Sequence, residues 1–187
     1  SLQVALTQHD LTEAQHAIVA LENKTDLTLP MQAKLCIAKA LFLGRQARVL
    51  AANEQVDICK AGVAASVFTA EQILAIGELR ALSTRYGEAK DAYSRVLREH
   101  PDFRLASLAA LRVGDVAYAE RKWEDAVRAY ASTTRGWPQS PYARLAEFKL
   151  QETQSAVAGA PTDPYKPIDI LHETWPIGRE VLLKRVF

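Results

Sequence analysis

Charge of one sign is what this sequence most lacks. Lys and Arg number 23 against 22 Asp and Glu, a formal net charge of +1. Nucleic-acid binding needs clustered surplus Lys and Arg to meet phosphates, so a dedicated nucleic-acid binder is not expected. Glycine and proline are also scarce, 8 of each in 187 residues, and with alanine and leucine dominating this points to helix. No apolar run approaches the roughly 18–20 residues of a membrane span, which argues against direct membrane insertion. The 49% apolar content supplies a core and excludes general disorder. The chain starts at Ser1 with no initiator Met and no signal-peptide pattern, inside a helical pattern, so it reads as a piece of a longer protein.

Two cysteines are too few for a disulfide-built scaffold. Cys36 and Cys59 lie among helix-forming residues, LCIAKALF and VDICKAGVAA. The favoured reading is two small buried hydrophobes, with a native disulfide and a reactive thiol as alternatives, so the redox compartment stays open.

What is present is an internal repeat. Residues 70–101 and 107–138 align without a gap at a shift of 37: Gly77 falls on Gly114, Ala89 on Ala126, Ala92 on Ala129, Tyr93 on Tyr130 and Pro101 on Pro138. Tyr86 falls on Trp123, keeping an aromatic, and the register continues past the second proline. Each repeat reads as two helices at 3.6-residue spacing. Gly77 and Gly114 permit close approach of the second helix, Ala89 and Ala126 remove bulk at the crossing, and the aromatics fill the wider gaps. Pro101 and Pro138 stop the second helix, since proline has no N–H and clashes with the preceding turn. Such a pair cannot bury its apolar face alone, so neighbours must stack.

These residues resemble the tetratricopeptide repeat (TPR) family: a Gly on the first helix, an aromatic near the turn, then Ala, Tyr and a closing Pro. The likeness covers 70–138 and extends weakly into 139–157, where Gln151 stands in place of Gly; the period exceeds the usual 34. In style the repeats are similar to those of bacterial envelope and periplasmic TPR proteins. The fold expected is an all-α, TPR-like helical-hairpin solenoid of about nine or ten helices.

Three regions are expected. Residues 1–69 read as divergent hairpins: a helix over 11–23, a break at 28–30, helices over 31–43 and 46–61 with Gly44 between them, and a joint at 62–69. Residues 70–157 hold the repeats (70–101, 107–138 and a partial 139–157). Residues 158–187 form a Pro-rich linker and a C-terminal segment suited to cap the open end, or else to join another domain or partner.

Catalytic signals are absent. His9 and His16 are seven apart, but two histidines alone make a poor zinc site; His100 and His172 stand apart, and no HExxH, phosphate-cradling Gly loop or GxSxG occurs. No cofactor, metal ligand set or catalytic residue is expected. Glu78, Asp115 and Glu152 recur at the 37-residue spacing, either as solvated charges or as a partner-facing row. In a TPR stack the first helices line the concave surface, so the resemblance implies a partner groove lined by Glu78, Leu82, Asp115, Tyr118, Lys149 and Glu152, with Leu74, Leu111 and Phe148 nearby. The Lys/Asn/Arg clamp by which some TPR domains hold a C-terminal carboxylate looks absent, because Leu74 and Glu78 occupy its places. The implied function is a non-catalytic protein- or peptide-binding scaffold, with a homo-oligomer among its partner classes and the bacterial envelope favoured over the cytoplasm. The rivals are a structural spacer whose groove is filled by its own C-terminal segment, and a helical enzyme with an unrecognised site.

Overall fold

The computed structural model describes residues 11–158, so the C-terminal segment expected to cap the stack lies outside the described residues. Within them the protein is all-helical: eight α-helices, one 3₁₀ turn and no strand. In chain order these are α1 (Leu11–Glu22), α2 (Leu29–Arg45), α3 (Val49–Gly62), the 3₁₀ turn (Ala65–Val67), α4 (Ala70–Leu82), α5 (Tyr86–Glu99), α6 (Ala106–Ala119), α7 (Trp123–Gly136) and α8 (Pro141–Val157). The chain divides into two compact units between Arg85 and Tyr86, inside the repeat at 70–101.

In the first unit, α1 and α2 share an apolar cluster. Ala14, Ile18, Leu35 and Ala38 are buried, and Ala17, Leu21, Leu27 and Phe42 pack against them. Pro30 sits in the first turn of α2, where its missing N–H costs nothing. Gly44, expected to interrupt or end that helix, lies within its last turn, and a Cβ there would come 2.9 Å from Leu79. Cys36 on α2 and Cys59 on α3 form a disulfide, with Cα atoms 5.7 Å apart. This replaces the favoured reading of two unlinked hydrophobes by one of its alternatives.

Helix α4 opens with a capping box. The Gln72 N–H donates to Thr69 Oγ1, and the Thr69 N–H donates to Gln72 Oε1, satisfying two backbone donors that the helix start leaves without partners. Every residue from Gln72 to Ala81 is buried, including Arg80 at 0% exposure. The Arg80 guanidinium donates to the backbone and side-chain oxygens of Asn53 at 3.3 and 2.8 Å and pairs with Asp57. Asn53 Nδ2 in turn donates to the carbonyls of Val49 and Leu79 at 3.0 Å each. One polar network therefore ties α3 to α4 and satisfies a charge that would otherwise be costly to bury.

In the second unit α6 packs on α5 and α7, and α8 packs on α7 and α6. Helix α6 is buried nearly all round, whereas α7 buries only Ala126, Tyr130 and Thr133. Helices α5 and α7 end at Glu99 and Gly136, each two residues before its proline, as expected. Tyr118 meets Trp123 edge-on, ring centroids 4.9 Å apart at 72°, which fastens the end of α6 to the start of α7.

Three turns are copies of one another. Ala47, Thr84 and Arg121 each have φ of 59°, at successive intervals of 37 residues. At each, the left-handed residue donates its N–H three residues back (Ala47 to Gly44, Thr84 to Ala81, Arg121 to Tyr118). The next residue then donates five back (Arg48 to Leu43, Arg85 to Arg80, Lys122 to Ala117). This is the Schellman closure of a helix C-terminus, usually built on glycine. The repeat frame therefore reaches back to the α2–α3 turn, in a region whose side chains had hidden it.

Candidate functional site

Four ionisable groups, Arg112, Asp115, Tyr130 and Lys149, come together where α6, α7 and α8 meet. Small residues bring the helices together there: Gly114 faces Tyr130 so closely that an added Cβ would lie 2.4 Å from the ring. Asp115 is one position along α6. Its Oδ1 accepts from the Tyr130 hydroxyl at 2.9 Å and from Lys149 Nζ at 2.5 Å, while Oδ2 accepts from Arg112 Nη1 at 2.9 Å. Asp115, Arg112 and Lys149 are only 2–3% exposed and Tyr130 is fully buried. Lys149 Nζ also stands 6.0 Å from the Tyr130 ring centroid.

The electrostatics follow from that enclosure. Burial acts to raise the Asp115 carboxyl, but the charges and hydrogen bonds of Lys149 and Arg112 prevail and hold it below the ordinary aspartate value. Burial lowers the Lys149 amine, against the pull of Asp115. Burial and the Asp115 charge push the Tyr130 hydroxyl well above its ordinary range. An amine of lowered pKa is a starting point for covalent chemistry. Lys149, however, is hydrogen-bonded to a carboxylate and closed off from solvent. What the arrangement accomplishes is cohesion: one carboxylate joins three helices, with each ion's partner held in a dry interior.

The six residues expected to line a groove are placed as follows. Glu78, Asp115, Tyr118 and Lys149 are buried, at 2–3% exposure; the exposure expected of them is corrected, because each faces packed helices. Leu82 at 36% is exposed, and Glu152 is half-buried. The structure brings Asp115 and Lys149 into direct contact. Of the three apolar neighbours, Leu74 and Leu111 are fully buried core, and Phe148 is 58% exposed, one helical turn before Glu152 on α8.

Arg112 and Tyr130 belong to the cluster and were missed. A signal existed: the 37-residue register places Arg112 on Lys149 and Tyr93 on Tyr130, so a basic residue and a tyrosine recur with the acidic one. The Arg80–Asn53–Asp57 network has no such recurrence. Elsewhere on the second unit, an open depression of about 310 Å³ lies between α7 and α8, lined by Glu124, Val127, Arg128, Gln154 and Val157. Among the described residues no group of three or more His, Cys, Asp or Glu is placed to hold a metal ion, and no helix is long and apolar enough to cross a membrane.

No family model, curated protein or solved structure matches this chain.

Proposed function

We propose that the chain is a non-catalytic interaction module, a TPR-like array of helical hairpins that holds a partner protein or peptide as part of a larger assembly. The observation that carries this reading is the recurrence of one turn at Ala47, Thr84 and Arg121. A helical turn copied along a chain is the mark of repeat scaffolds that hold extended or helical partners. The cluster around Asp115 supports it, because its members are engaged with one another across helices. The disulfide supports an oxidising setting such as a bacterial envelope, where such bridges persist.

With Glu78, Asp115, Tyr118 and Lys149 inside, the partner-facing side chains of this reading are Leu82 on the first unit, and Phe148 with Glu152 on the second. The test is affinity capture with the whole chain, comparing wild type with Leu82→Glu and with Phe148→Glu. Binding to an identified partner should weaken at least tenfold in one or both variants while helical content is unchanged. Undiminished binding in both would reject these faces as the contact.

A further inference from the structure

We propose that the Cys36–Cys59 bridge is a thiol-exchange site at which an external dithiol attacks Cys36. The two sulfurs are unequally placed. Cys59 is 1% exposed, on the inner face of α3, whereas Cys36 on α2 is half-buried. Exchange requires a thiolate to approach one sulfur and leave an electron pair on the other, and of the two residues Cys36 is the less buried.

A hydrogen-bond donor stands at the same point. The side-chain amide of Gln55, one turn before Cys59 on α3, directs its Nε2 to Cys36 Sγ at 3.3 Å and to Cys59 Sγ at 3.9 Å. As the external thiolate bonds to Cys36 Sγ, the Sγ–Sγ bond breaks and its electron pair departs on Cys59 Sγ. That thiolate is stabilised by the Gln55 N–H until it takes a proton. The second thiolate of the reagent then attacks its own sulfur in the mixed disulfide and expels Cys36 as a thiolate, which is protonated in turn. The protein gains two electrons and two protons, and the external dithiol becomes a disulfide. Gln55 acts here as a positioning residue.

The helical frame does not depend on the bond. Shifted by 37 and 74 residues, the place of Cys36 is held by Ile73 and Ala110, and that of Cys59 by Val96 and Thr133, all of them buried. The α6–α7 hairpin, where Ala110 and Thr133 hold these places, closes on packing alone, so reduction loosens α2 from α3 without unfolding the chain. A covalent link confined to one hairpin is then a reversible clasp.

The experiment exposes the oxidised whole chain to glutathione under native conditions, traps free thiols with an alkylating reagent and maps both cysteines by mass spectrometry. The expected product carries glutathione on Cys36 and the alkyl group on Cys59, with helical circular dichroism retained. Glutathione found mainly on Cys59 would overturn the proposal. So would exchange that proceeds only at the rate of global unfolding, measured in parallel in urea. Reduction by dithiothreitol is then timed in Gln55→Glu, which keeps the side-chain shape and removes the N–H donors. The rate should fall several-fold and its pH profile shift to higher pH, while the melting temperature of the oxidised protein stays unchanged. An unaltered rate and profile would remove Gln55 from the mechanism.

Discussion

Tyr130 fills the space that a side chain on Gly114 would need. A Cβ at Gly114 would lie 2.4 and 2.5 Å from two carbons of the ring, nearer than atoms in real structures approach. The ring cannot retreat cheaply, being fully buried and anchored by its hydroxyl to Asp115. Gly114→Ala is therefore expected to destabilise the protein by about 1–3 kcal/mol, the usual cost of overpacking a filled core, read as a lower urea midpoint. Tyr130→Phe keeps the volume and loses one hydrogen bond to a charged acceptor, a loss of about 1.5–3 kcal/mol. An unchanged midpoint in Gly114→Ala would mean the crossing of α6 and α7 is looser than described.

Removing Asp115 should cost more than removing Lys149. Asp115→Ala leaves both Lys149 and Arg112 in the interior without this carboxylate, and breaking a buried pair in that way costs about 3–5 kcal/mol. Lys149→Met leaves Asp115 still bonded to Arg112 and Tyr130 and fills similar volume, so a much smaller loss, or none, is expected. Equilibrium denaturation of the two variants measures the difference; equal losses would deny Asp115 the larger share in holding the cluster.

Acid should weaken the fold through the same carboxylate. Asp115 is lowered on folding, since the Lys149 and Arg112 charges overcome the effect of burial. The unfolded chain therefore binds more protons below about pH 4. The stabilisation is present above the unfolded value and is lost as pH falls through the folded one. Asp57, lowered by Arg80 and Arg85 against the effect of burial, adds in the same direction. The melting temperature should fall between about pH 5 and pH 3, with a shallower fall in Asp115→Asn; an identical slope would deny Asp115 its part. On the alkaline side Tyr130 has the opposite sign. Its raised value keeps a proton on the folded state that the unfolded state gives up above about pH 10, so its contribution decreases there.

Thr84 is held at φ 59°, a conformation in which a β-branched side chain is strained. Thr84→Gly should stabilise the first unit by about 1 kcal/mol, the relief of the left-handed strain reduced by the entropy glycine brings to the unfolded chain. A raised denaturation midpoint is the check, and a fall would show that the Thr84 hydroxyl, 2.7 Å from the Ser83 carbonyl, matters more than the strain.

Much of the helical plan is written locally. Periodic apolar positions place the helices, Pro101 and Pro138 end two of them, and Thr69 with Gln72 starts another; these signals act within a few residues and so survive in a linear reading. The Gly, Ala and Tyr positions of the 37-residue frame likewise marked the helices from α4 to α7. Hidden from the sequence was the third copy of the turn, because Ala47, Thr84 and Arg121 share a backbone angle and no residue type. Hidden too was the interior fate of the charges. Asp and Lys are almost never fully buried unless paired, and two of the three partners of Asp115 lie 15 and 34 residues away, on helices brought together only by packing. The pairing of Cys36 with Cys59 across 23 residues belongs to the same class. By itself the sequence determined an all-helical chain with a repeated 37-residue pattern; which polar groups that chain would enclose, and which it would leave to solvent, only the tertiary structure decided, because burial depends on neighbours distant in sequence.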